Sequence, residues 1–167
     1  MLSVDKSQLL ALLVERLTEE LGRVKGRAQR EAEGATHEEA RAEGDKDTRA
    51  TEASYVARGL AERALRLEQG LKQLSHLTLL DCQRAGAIQA SALIELEHDG
   101  QRALYFLLPA AGGEHLTLGD AEGAEQSIQT LTPTSPLGRA LLGLGVGDEA
   151  EVESPQGPRF YEIIDLA

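Results

Sequence analysis

The sequence predicts an α+β protein in two parts: an antiparallel coiled-coil helical hairpin over residues 1–77, then a small antiparallel-sheet domain over residues 78–167. Three observations carry this. Leucines and alanines recur at mixed spacings of three and four on both sides of a short acidic segment, the signature of two narrow helical seams. Near residue 78 the apolar period changes to two, the signature of strands. Aromatic rings are scarce, with no Trp and only Tyr55, Tyr105, Phe106, Phe160 and Tyr161. One large core is hard to build on so few rings, whereas a helical part plus a small β-rich part needs fewer.

The first helix is expected from Asp5 to about Ala42, with Leu10, Leu13, Leu17, Leu21 and Val24 as its seam at spacings of 3, 4, 4 and 3. Beyond Val24 the seam fades to Ala28, Ala32 and Ala35, and Gly34 interrupts it. A helix of this length spans roughly 50 Å. The segment Glu43-Gly44-Asp45-Lys46-Asp47 follows, with three carboxylates in five residues. Crowded carboxylates repel one another and seek a cation, a basic partner or water. Thr48 or Thr51 is the candidate cap of a second helix ending near His76, with Val56, Leu60, Ala64, Leu67, Leu71 and Leu74 as its seam. Two facing seams on a short linker predict a hairpin with the acidic segment at its tip.

In the second part, Ala92, Ile94 and Leu96 alternate with Leu93, Glu95 and Glu97. An Asp99-Gly100 turn then leads into a strand over 103–108. Gly112 and Gly113 mark a loop, and residues 127–131 form another strand. Ser135 suits an N-cap, Pro136 the first helical position, and Gly143 a left-handed helix end. Strands over 149–153 and 160–166 close the domain around Ser154-Pro155-Gln156-Gly157. Gly143-Leu144-Gly145-Val146-Gly147 reads as a turn, because no strand–helix unit surrounds it to make a nucleotide loop.

The formal charge of −11 is unevenly placed. Residues 1–77 hold 13 basic and 14 acidic side chains, while residues 78–167 hold 4 and 14. The second part, at −10, is repelled by bare nucleic acid, so a protein with basic surface is the better partner. The lone Cys82 has no intramolecular disulfide partner and reads as packed; His37, His76, His98 and His115 are scattered, without zinc spacing. Neither a secretory leader pattern nor an apolar run of bilayer length is present, so the chain reads as cytoplasmic, with no membrane contact.

Ser135-Pro136-Leu137-Gly138-Arg139-Ala140-Leu141-Leu142-Gly143, then Val146-Gly147-Asp148 and Tyr161-Glu162-Ile163, resemble the C-terminal signature of the Gre family of bacterial transcript-cleavage factors. Ala40-Arg41-Ala42-Glu43-Gly44-Asp45 resembles that family's run into its tip, and Tyr55 the tyrosine after it. The resemblance covers nearly the whole chain. It implies an FKBP-like fold for the second part and a transcription elongation factor that inserts its hairpin into the secondary channel of RNA polymerase. Docking would fall to Ser135, Pro136, Leu137 and Arg139, with Arg23, Arg27, Arg30 and Arg49 facing RNA near its 3′ end. The tip carboxylates Asp45, Asp47 and Glu43 would act at the polymerase site, and Asp45 and Asp47 would share its Mg²⁺ only in that complex. Such a factor has no cofactor and no active site of its own, and works as a monomer.

The tip departs from the family pattern. The family has Gly-Asp followed by Leu-Ser-Glu, with its working Asp and Glu three residues apart; here Asp45 holds the aspartate position and Thr48 the glutamate position. Lys46 lowers the net tip charge, and Leu144 stands where the family often has a basic residue. Stimulation of cleavage and inhibitory occlusion of the channel therefore both remain open readings. Two others come from different classes. One is a peptidyl-prolyl isomerase on the FKBP-like part, which would need a ring-lined pocket from Tyr105, Phe106, Phe160 and Tyr161. The other is an adaptor or dimer formed through the hairpin seam.

Overall fold

The computed structural model describes residues 2, 4–39, 47–119 and 125–167, and the side chains of residues 35–50 lie outside that description. Helix α1 spans Lys6–Glu39 and α2 spans Asp47–Ser75. Asp5 caps α1: its Oδ1 accepts from Ser7 N–H at 2.8 Å, satisfying a donor that the first turn leaves without a helical partner. Contact grouping divides the chain into two units, one of residues 14–72 and one of residues 1–13 with 73–167.

In the 14–72 unit, ion pairs Lys25–Glu68 and Arg63–Glu20 join the two helices. Were α2 to continue along the axis of α1, residues 25 and 68 would lie roughly 60 Å apart. The helices are therefore folded back on one another. Exposed pairs of this kind add little stability, so their value is in fixing register.

The buried faces correct two seam assignments. On α1 the fully buried positions are Leu9, Leu13, Leu17 and Val24, so the seam opens at Leu9 and Leu10 is only half-buried. On α2 Val56 is 41% exposed. The less exposed face runs through Ala53, Ala57, Leu60, Ala64, Leu67, Leu71 and Leu74. Those positions alternate by four and three without a break, the seven-residue repeat that keeps a seam facing its partner helix. A 4–4 step from Val56 to Ala64 drifts off that line. A second correction concerns the start of α2: the backbone is already helical at Asp47, so Thr48 and Thr51 lie inside the helix. An aspartate in the first turn suits the positive end of the helix dipole.

The other unit is built on a six-stranded sheet in the order β3-β4-β2-β1-β6-β5. Its strands are β1 (Leu93–His98), β2 (Gln101–Leu107), β3 (His115–Gly119), β4 (Glu125–Leu131), β5 (Glu149–Val152) and β6 (Arg159–Leu166). Two short helices accompany them, α3 (Cys82–Ala85) and α4 (Pro136–Leu141). The α+β class is as the sequence predicts. The sheet is mixed, however, because β2 and β4 pair parallel while the other neighbours are antiparallel. The reason is β3, which pairs antiparallel with β4 and so brings it back beside β2 in the same sense as β2. The alternation His115-Leu116-Thr117-Leu118 is the strand signal that the neighbouring glycines obscure.

The β1–β2 turn has left-handed Asp99 (φ 50°) and Gly100 (φ 73°), the pair that a two-residue hairpin twisted like its strands requires. One sheet face packs Ile94, Leu96, Leu107, Ile163 and Leu166 with Leu141, Ala150 and Cys82. The opposite face buries Leu93, Phe106, Leu116 and Ile128, and the same unit also fully buries Leu9, Leu13 and Leu74. Further along that face the side chains turn acidic. Glu97 stands opposite Glu162 and Glu162 opposite Glu149, and Arg102 counters them through Glu97 at 3.0 Å and Glu95 at 3.8 Å.

Candidate functional site

The hairpin connection lies between Glu39 and Asp47. Glu43, Asp45 and Lys46 fall outside the described residues. Asp47 is the first residue of α2 and Arg49 lies in its first turn, with side chains outside the description. Among the described residues no group of three or more His, Cys, Asp or Glu is placed to hold a metal ion.

Arg23, Arg27 and Arg30 are exposed, and spacings of four and three set them on one stripe of α1. Arg27 also faces Glu31 at 3.8 Å, the ordinary intrahelical pairing that competes with any external anion. Arg58 pairs likewise with Glu62 at 3.4 Å.

The Ser135 segment is held by its own chemistry. Ser135 has extended backbone (φ −68°, ψ 154°); its Oγ accepts from Gly138 N–H at 3.0 Å and its hydroxyl donates to Thr132 C=O at 2.8 Å. Pro136 begins α4 where no donor is needed. Gly138 is fixed by proximity, since a Cβ there would sit 2.0 Å from Thr132 O. The chain leaves α4 through left-handed Gly143 (φ 81°), as its sequence position predicts. Of the four candidate docking residues, Leu137 packs on the core and Ser135 is half-buried in its cap, while Pro136 and Arg139 face solvent. Two apolar side chains that the sequence reading did not single out are exposed just beyond, Leu142 at 43% and Val146 at 59%. Their signal is an apolar residue on either side of the Gly143–Gly145 turn.

The rings differ in exposure. Phe106 is fully buried, Phe160 is 45% exposed, and Tyr161 stacks on His98 at 4.6 Å. Burial raises the Tyr105 phenol above its ordinary value, and the neighbouring Tyr161 adds to the effect. Surface depressions of about 460, 250 and 300 Å³ lie among the described residues, and Phe160 lines the second of them. Among the described residues no helix is long and apolar enough to cross a membrane.

Fold and site together define a two-part chain, a folded-back helical pair with an acidic connection and a unit built on a mixed six-stranded sheet. The family model "Transcription elongation factor, GreA/GreB, C-term" matches residues 113–167. The transcription elongation factor GreA of Nitratidesulfovibrio vulgaris is 32% identical over 155 residues, which cover 92% of this chain and 89% of the relative. That of Methylococcus capsulatus is 31% identical over 170 residues, covering 98% of each chain. Among solved structures, GreA factor homolog 1 of Thermus thermophilus is 22% identical, with a TM-score of 0.35 over 92% of this chain and 94% of that one. The chain belongs to the GreA/GreB family of transcription elongation factors.

Proposed function

We propose that this elongation factor binds RNA polymerase at its secondary channel and inserts the hairpin connection, where its carboxylates stimulate cleavage of backtracked RNA. One observation carries the reading, beside family membership: the densest acidic segment of the hairpin lies in the reversal between two paired helices. Asp45 and Asp47, with Glu43 in support, are oxygen donors of the kind that hard Mg²⁺ accepts, and one or two such ligands suffice beside waters. Mg²⁺ shared with the polymerase supplies Lewis-acid stabilisation of the attacking and leaving oxygens of phosphodiester cleavage. The chain's own residues position donors there. Arg23, Arg27, Arg30 and Arg49 face RNA phosphates near the 3′ end, and Pro136 and Arg139 mark the docking surface, held by the Ser135 cap and Leu137. The factor works as a cytoplasmic monomer with no cofactor of its own.

A second reading is occlusion of the channel without cleavage. Thr48 in the glutamate position and Lys46 between the aspartates favour it. A cleavage assay on stalled, backtracked polymerase separates the two. Stimulation is expected, and Asp45→Ala with Asp47→Ala should slow it about tenfold or more, ~1.4 kcal/mol of transition-state stabilisation, while polymerase binding stays nearly intact. Slower cleavage on adding the wild type would establish occlusion. Equal behaviour of wild type and double variant would remove the connection from the mechanism.

A further inference from the structure

The glycines of the two units differ in kind. In the sheet unit, Gly138 cannot carry a Cβ because Thr132 O would lie 2.0 Å away, and at Gly145 the Gly86 carbonyl would lie 2.8 Å away. In the helical unit the opposite holds. A Cβ built at Gly22, Gly34 or Gly59 meets nothing within 4 Å, and at Gly26 it meets only the far end of Arg30 at 3.5 Å, an ordinary contact. None of these four has a positive φ. Neither packing nor backbone geometry calls for glycine there, yet glycine is among the worst residues for a helix interior.

Burial points the same way. Val24 and Ala64 are buried, at 8% and 7% exposure. On the connection side of them, over 25–34 and 51–63, no described side chain is fully buried. The seam there is Ala28, Ala53, Ala57 and Leu60, whereas Leu17, Leu67 and Leu71 lie on the other side. Little apolar area is removed from water there, and Gly26, Gly34 and Gly59 lower the helix propensity of the same stretch.

We infer that the helical unit carries a built-in local opening transition. Residues 25–34 and 51–63 melt and re-form as one cooperative segment, while residues 10–24 and 64–74 and the sheet stay folded. Gly26, Gly34 and Gly59 set its equilibrium: each shifts the segment toward the open form about two- to fivefold relative to alanine. A partner that accepts only the closed helical pair then binds with an apparent affinity reduced by the closed fraction, and alanine at the three sites removes that reduction.

Native-state hydrogen exchange on the full chain, read by mass spectrometry, tests this. Amides of 25–34 and 51–63 are expected to exchange far faster than those of 10–17, 67–74 and strands β1 and β2. The variant Gly26→Ala/Gly34→Ala/Gly59→Ala should slow the fast set by about two- to fivefold per replaced glycine and leave β1 and β2 unchanged. Distal amides as protected as those of β1 would overturn the inference. So would an alanine variant that leaves the distal rates unmoved, or that slows every amide alike. No outcome of this test depends on polymerase binding, so it stands or falls apart from the proposed function.

Discussion

The tightest constraints belong to single residues near α4. Replacing Gly138 with alanine forces a Cβ into the Thr132 carbonyl, and the atom it meets is backbone, which cannot swing away. Gly138→Ala should therefore cost about 3 kcal/mol or more, within the range of overpacked core sites. By contrast Ser135→Ala, which loses one cap, should cost about 1 kcal/mol. Urea midpoints of the two variants check the order; an alanine at 138 tolerated as well as one at 135 would mean that the loop relaxes freely. The cap, the first-turn proline and the left-handed Gly143 were legible in the sequence because each is a local rule. The demand on Gly138 was not, since its cause is Thr132 reached across a turn. The candidate carboxylates were legible as a cluster, whereas the burial of Leu137 and the exposure of Leu142 and Val146 depend on how α4 lies on the sheet.

For the elements, the seam of α2 is the informative case. Alternation by four and three predicts helix equally well from Val56 or from Ala57, and only the frame through Ala64 decides between them. Val56→Asp should change stability by no more than about 0.5 kcal/mol, as exposed substitutions do, because Val and Asp have similar helix propensities. Ala64→Asp places a charge at a position only 7% exposed, and should cost about 2 kcal/mol or more. The helical far-UV signal followed against urea reports both, and equal losses would show that the frame is misplaced. Strand β3 was missed for a related reason. Five residues between glycines carry too short an alternation to stand out, and their partner β4 supplies the missing context.

Taken whole, the chain divides at positions that no composition shift marks. Charge and periodicity change near residue 78, yet residues 1–13 and 73–77 fall in the same unit as the sheet. Leu9, Leu13 and Leu74 are the largest fully buried side chains in those pieces. A fragment of residues 78–167 lacks all three. It should unfold less cooperatively, and at lower urea, than a chain in which 14–72 are replaced by a short linker joining 13 to 73. Burying each leucine contributes about 1.5–3 kcal/mol, so the difference is large enough to read from midpoints. If the shorter fragment proves as stable, the first thirteen residues are dispensable to the sheet.

The pairing of β1 with β6 has a temporal consequence. A ribosome delivers the helical pair early, and its two halves are near neighbours in the chain. Strand β1 then waits, one flank bare, until residues 159–166 have been translated, so the sheet is assembled only after its last strand emerges. A stalled ribosome would display a paired 14–72 unit before the sheet has its final strand.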